Sequence, residues 1–180
     1  MKIAIHQPNF VPWMPFFYKM AMADKFILLG GVQFEKNGFQ NRFKYKDKWI
    51  TKPVKKGNTE IYSKKYTDGL WLYSHNYDWI KVIKDTLGIK TQLILDCSKK
   101  QFKDSNKATK RLINIIGKYG GTTYITNPKA KDKYLNEEMI LDRGIDIQYC
   151  KVPRNLNVSI FEMFEKYGIE GTIKQLPKRR

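Results

Sequence analysis

Apolar residues recur along this chain in short runs, some continuous and some spaced as on a helix face. Lys2–His6 and Phe26–Leu29 are continuous runs of strand length, and Thr91–Leu95, Thr122–Thr126 and Ile145–Tyr149 repeat that pattern. Helical spacings lie between them. Phe16–Ala23 is a run of aromatic, Met and Ala residues opened by Pro15, in the first turn where a helix tolerates proline. Tyr77–Leu87 has a helical beat followed by Gly88. Lys107–Tyr119 puts Ala108, Leu112, Ile115, Ile116 and Tyr119 on one face, with Ser105 or Asn106 as candidate N-caps and Gly120 behind it. Asn136–Arg143 and Ser159–Tyr167 are shorter helices, stopped by Gly144 and Gly168. Lys48–Val54 and Glu60–Tyr66 have strand character and flank Lys56-Gly57-Asn58, which predicts a hairpin between the α/β units.

This alternation predicts an α/β fold. A mostly parallel sheet is flanked by helices in a Rossmann-like three-layer arrangement, with the basic β-hairpin (about 43–66) inserted into it. At 180 residues the chain fits a single domain, 1–180. Ligands of open α/β sheets bind beyond the carboxyl ends of the strands. Two such ends stand out, His6–Trp13 and Gly30–Arg42.

Composition adds a charge of +17, from 34 Lys plus Arg against 17 Asp plus Glu. Of the cations 28 are Lys and 6 are Arg. Lys, Asn, Ile, Tyr and Phe are all abundant and all have AT-rich codons, so part of the Lys excess reflects coding bias. Its placement carries more. Residues 36–66 hold +8, 99–111 hold +5, and the tail 174–180 holds +4. Such concentrated fields attract phosphates, nucleotides, nucleic acid or anionic lipid. No apolar run reaches the roughly 18 residues of a membrane span, and MKIAIHQPN lacks the features of a signal peptide. A cytoplasmic protein is expected. Cys97 and Cys150 make no CxxC, so no thiol metal site is predicted, and no Walker A, GxGxxG or HExxH motif names a cofactor.

The candidate chemistry sits at the two strand ends. Residues 5–13 (IHQPNFVPW) place His6, Gln7 and Asn9 between prolines, which hold a loop's polar groups in position. Residues 32–42 (VQFEKNGFQNR) offer Gln33, Lys36, Gln40, Asn41 and Arg42 beside Phe34 and Phe39. Amides, cations and aromatics on one loop suit a polar ligand that is phosphorylated or glycosidic. Each segment also has a plain reading, a buried turn for the first and a solvated basic loop for the second.

These same segments resemble the WbqC-like proteins of bacteria. Members typically open with a strand and HQPNYLPW, then a helix. A second strand ends in Asp-Asp-Val-Gln, and a Gly-[Phe/Trp]-Gln-Asn-Arg motif and a Trp-Leu-Thr-x-Pro-Val strand follow. Here the last reads Trp49-Ile50-Thr51-Lys52-Pro53-Val54. Gly121–Tyr124, Tyr134–Glu138 and Leu156–Gly168 extend the likeness over most of the chain. Two departures stand out. The family's Asp-Asp is Gly30-Gly31, and the stretch around Tyr62–Leu95 is shorter. The resemblance implies surface-polysaccharide or nucleotide-sugar chemistry.

The expected function is therefore a group transferase acting on a sugar nucleotide or related anionic small molecule. His6 is the catalytic residue, as a general base or a hydrogen-bond donor. Gln7, Asn9, Trp13, Tyr18, Gln33, Gln40 and Asn41 orient the substrate, and Lys36 and Arg42 hold its phosphate or carboxylate. His75 lies in an aromatic stretch and reads as structural. Nucleic acid is the second candidate partner, since Phe39, Phe43, Tyr45 and Trp49 interleave with cations as on a single-strand platform. A binding homologue without turnover is the third reading, motivated by the missing carboxylates.

Overall fold

A computed structural model describes residues 1–57, 60–98 and 105–178, with backbone alone at Tyr62, Ser105 and Asn106. Its elements in chain order begin with β1 (Lys2–His6), α1 (Met14–Met22) and β2 (Lys25–Leu29). The hairpin strands β3 (Arg42–Tyr45) and β4 (Lys48–Thr51) follow, then α2 (Leu72–Thr86), β5 (Gln92–Asp96) and α3 (Ser105–Lys118). The chain closes with β6 (Thr123–Thr126), α4 (Glu137–Leu141), β7 (Asp146–Tyr149) and α5 (Ile160–Lys174).

Five strands form one parallel sheet in the order β5-β2-β1-β6-β7. The chain moves outward from β1 through β2 to β5, then returns by α3 to β6 on the far side of β1. Strand order thus reverses between β1 and β6, where α/β sheets bind ligands. The expected three-layer fold is the observed one.

The central strands are buried on both faces of the sheet, their successive residues pointing to opposite sides. Ile3, Ile5, Ile27 and Leu29 pack under α3 and α4 against Leu112, Ile115, Ile116 and Ile140. Ala4, Phe26 and Leu28 share the other core with Phe16, Phe17 and Met20 of α1, Ile80 and Ile83 of α2, and Ile160 and Met163 of α5. Where α1 ends, the buried Thr91 hydroxyl stands 2.7 and 2.8 Å from the carbonyls of Met20 and Ala23. The Met20 carbonyl also accepts from the Ala23 N–H at 3.0 Å, which closes the last turn of α1.

Two expectations change. The hairpin pairs β3 with β4, not Lys48–Val54 with Glu60–Tyr66. Its turn is Lys46-Asp47, with φ of 44° and 63°, the left-handed pair of a tight two-residue connection. Glu60–Tyr66 forms a single 3-10 turn at Ile61–Ser63, anchored by buried Ile61, and meets Val54 in one bridge only. The helix after Ser159 is interrupted at Gly168 as expected, since φ 65° and ψ 179° there are not helical, and a further helical segment follows to Lys174, so that α5 is two helices across a kink. Asn58 of the expected turn, the Ser105 and Asn106 side chains, residues 99–104 and Arg179–Arg180 lie outside the described residues.

Candidate functional site

The loop after β1 and the loop after β2 meet. The Gln40 amide donates to Gln7 Oε1 at 2.5 Å and accepts from the Glu35 N–H at 2.8 Å. The Phe10 N–H donates to the Phe39 carbonyl at 2.9 Å. Asn76, fully buried on α2, donates to the carbonyls of Pro8 (2.8 Å) and Gln40 (2.7 Å) and accepts from the Tyr66 hydroxyl (2.7 Å). Residues 7–10 and 39–41 are therefore one hydrogen-bonded body.

On one side of this body, where strand order reverses, lies a cavity of about 390 Å³. His6 and Gln7 at the end of β1, Thr126 and Asn127 at the end of β6, Lys19 from α1 and Arg111 from α3 line it, with no Asp or Glu among its described lining residues. Lys19 is 9% exposed. Its ammonium donates to the Ile5 carbonyl at 3.1 Å and stands 5.5 Å from the Phe26 ring centre. Burial pulls its pKa down to about 8. Arg111 donates to the carbonyls of Gly31 (3.4 Å) and Ser98 (3.1 Å), and its buried Nε has no partner among the described residues.

His6 packs edge-on against Phe16 at 4.9 Å. Its Nδ1 lies 2.9 Å from the Gln7 carbonyl, which only accepts, so Nδ1 carries the proton and Nε2 is left as the acceptor. Burial and then the Lys19 charge lower its pKa to about 3. The imidazole is neutral across physiological pH.

Gly30-Gly31 ends β2 beside this cavity. A Cβ on Gly30 would meet the Tyr73 ring at 2.7 Å, and one on Gly31 would lie 2.3 Å from the Ser98 carbonyl oxygen. Tyr73 of α2 crowds the first position and the backbone after β5 closes off the second. The carboxylate nearest this corner, Asp96, is 2% exposed and held by Ser98, Lys118 and Tyr119. Burial raises its pKa, but those partners prevail and hold it below the usual carboxylate range.

On the other side of the loop body lies a second hollow of about 280 Å³, bounded by Asn9, Trp13, Phe39, Trp49 and the start of α5. The sequence-predicted residues therefore divide. His6 and Gln7 line the first cavity, and Asn9 and Trp13 the second. Gln40 and Asn41 are buried in the loop body, Asn41 donating to the Lys52 carbonyl at 3.0 Å. Tyr18 is half-buried against the core. Gln33 and Lys36 are exposed and line neither space. Arg42 lies 4.0 Å over Trp49 and donates to the Asn37 carbonyl. His75 packs between Phe10 and Tyr66.

Lys19 and Arg111 escape a motif reading, yet each leaves a sequence signal. Lys19 is the lone charge in MPFFYKMAM, and Arg111 interrupts the apolar stripe of Ala108, Leu112 and Ile115. The hairpin aromatics also divide. Phe43 is buried against Phe10 and Phe161, and the Tyr45 hydroxyl donates to Glu165. Lys44, Lys46 and Lys52 pair with Asp47, Glu165 and Asp68. Only Phe39 and Trp49 of that platform are exposed.

In comparisons with known proteins, the model of the WbqC-like protein family matches residues 7–69 and 59–167. The chain is 26% identical over 191 residues to the uncharacterized protein Rv1507c of Mycobacterium tuberculosis, covering 82% of this chain and 81% of that protein. No solved structure matches at a significant level. No helix among the described residues is long and apolar enough to cross a membrane.

Proposed function

This chain belongs to the WbqC-like protein family, and from that premise we propose a group transferase acting on a sugar nucleotide or related phosphorylated small molecule in glycan biosynthesis. The observation that carries the reading is the cavity between β1 and β6, with Lys19 and Arg111 in its wall and no carboxylate among its described lining residues. Two cations in a low-dielectric recess favour a phosphate or carboxylate ligand. Arg111 supplies a buried N–H without a partner, and Gln7, Thr126 and Asn127 supply neutral polar groups around it. His6, neutral with Nε2 as acceptor, serves as the general base that takes a proton from an acceptor hydroxyl or amine. The bound anion raises its proton affinity from the low resting value.

Calorimetric titration with a panel of nucleoside diphosphate sugars and their free nucleotides tests this. A member of the panel is expected to bind at pH 7 and to weaken as pH rises through about 8, where Lys19 loses its charge. Absence of binding across the panel, or full binding by the Lys19→Met, Arg111→Gln double variant, rejects the reading. His6→Gln is expected to keep binding and lose transfer. A ligand that binds tightly while no acceptor is ever modified favours the binding homologue instead, the reading that Gly30-Gly31 supports.

A further inference from the structure

We propose that the second hollow, between the proline-held loop, the hairpin and the start of α5, is a binding site for an uncharged saccharide ring. The inference needs no turnover at the first cavity.

The wall of the hollow is aromatic. Trp13 and Phe39 stack at 5.5 Å and 21°, and Phe39 meets Trp49 at 5.6 Å and 54°. Phe39 is 39% exposed and Trp49 46% exposed, so this wall faces water. A contiguous run of exposed rings marks a binding surface rather than scattered surface hydrophobes. Arg42, 4.0 Å over Trp49, stiffens that ring from the loop side.

Polar groups accompany the rings. Asn9 is 5% exposed and lines the hollow. Its amide offers two donors and an acceptor to a ligand there. Asp47 and Glu162 also line the space, against Lys44 alone. The acids outnumber the cation, which disfavours phosphate and favours hydroxyl donors. Aromatic faces for the C–H surface of a pyranose, with an amide and carboxylates for its hydroxyls, form one coherent recognition set. A nucleobase would also stack, but its phosphates would meet Asp47 and Glu162. The volume, about 280 Å³, suits one or two rings.

The site is built before any ligand arrives. Val11 lies at φ 42°, a strained value for a β-branched residue, between Phe10 and Pro12. The Phe10–Phe39 backbone hydrogen bond, and that from Met14 N–H to the Val158 carbonyl at 3.0 Å, hold it there.

The test is a titration of tryptophan fluorescence with methyl glycosides and trisaccharides of hexoses, 6-deoxyhexoses and N-acetylhexosamines. Oligothymidylate serves as the competing probe. At least one saccharide series is expected to bind saturably, with little change between about 50 and 200 mM salt. Trp49→Ala should weaken it at least about tenfold with an unchanged circular dichroism spectrum, and Trp49→Phe should restore most of it. Asn9→Ala is the second variant, with a loss of similar size. Absence of binding across the panel overturns the proposal, as does binding indifferent to both variants. Oligothymidylate binding that depends on Trp49 and falls steeply with salt, with no saccharide bound, overturns it in favour of a single-strand platform.

Discussion

The cavity between β1 and β6 has two cations and no acid among its described lining residues, whereas the hollow beside the hairpin has five aromatic residues and two acids against one lysine. Both border the same loop, residues 6–13, and the same Gln7–Gln40 and Phe10–Phe39 links hold them. The difference teaches that a net charge of +17 does not say where an anion goes. The densest basic stretch, 36–66, contributes only Lys44 of its cations to the hollow it borders, and three of its lysines share acids. The cations best placed for a ligand are two isolated ones, the buried Lys19 of α1 and the half-buried Arg111 of α3, each on a helix face that is otherwise apolar.

Asn76 is the sharpest way to break both spaces at once. Asn76→Ala removes two donated hydrogen bonds and one accepted and strands the Pro8 carbonyl in a buried site, while the Gln40 carbonyl keeps the Tyr66 hydroxyl at 3.2 Å. A loss of about 3 kcal/mol is expected, since a stranded group costs roughly 1–3 kcal/mol and each lost hydrogen bond about 1 kcal/mol. The midpoint of thermal unfolding should fall by about 10 °C. Anion and saccharide affinity should fall together. If one survives intact, the two spaces do not share a support.

Lys19→Met separates them. Lys19 carries a pKa lowered from 10.5 to about 8, so the unfolded chain binds its proton more tightly than the folded one between those values. Stability therefore rises with pH across that window, and below pH 8 the buried ammonium costs about 3 kcal/mol. Lys19→Met should be more stable than the parent at pH 7, lose the advantage toward pH 10.5, and lose anion binding while saccharide binding persists. Denaturant titrations at pH 7, 9 and 10.5 read this. A variant less stable at pH 7 than the parent would contradict the burial argument.

Gly31→Ala acts on the cationic side alone. The new methyl would sit 2.3 Å from the Ser98 oxygen, a backbone atom that cannot rotate away. It would also disturb the carbonyls that anchor Arg111. A cost of about 2–3 kcal/mol is expected, with weaker anion binding and unchanged saccharide binding. Equal stability of the variant would show that the segment after β5 yields.

Particular residues explain what was legible in the sequence. The central strands β1 and β2 are apolar runs buried on both faces, and a run such as Phe26–Leu29 has no other stable use, so the α/β order could be read directly. The meeting of the two strand-end loops follows from that topology. The hairpin was misplaced because Lys46-Asp47 lacks the Asn-Gly signature of its turn, while Lys56-Gly57-Asn58 carries a stronger turn signal. Lys19 and Arg111 gain their environment only when α1 and α3 pack across the sheet. A motif built on neighbours in sequence cannot show a pocket shared by residues 6, 19, 111 and 127.

The mildest change tests the aromatic side. The Ser159 hydroxyl accepts from the Phe161 N–H at 3.3 Å, and Glu162 accepts from the Ser159 N–H at 3.1 Å, which caps α5 reciprocally. Ser159→Ala removes one of these bonds, at a cost of about 1 kcal/mol, and should lower the unfolding midpoint by about 2–4 °C. Ser159 and Glu162 both line the hollow, and Ser159 bridges to Trp13. Loosening the cap lets Glu162 swing from its place on the rim. Saccharide affinity should therefore fall two- to threefold while anion affinity is unmoved. A change confined to anion binding would mean that α5 supports the other space, and the division of the molecule into two chemistries would have to be redrawn.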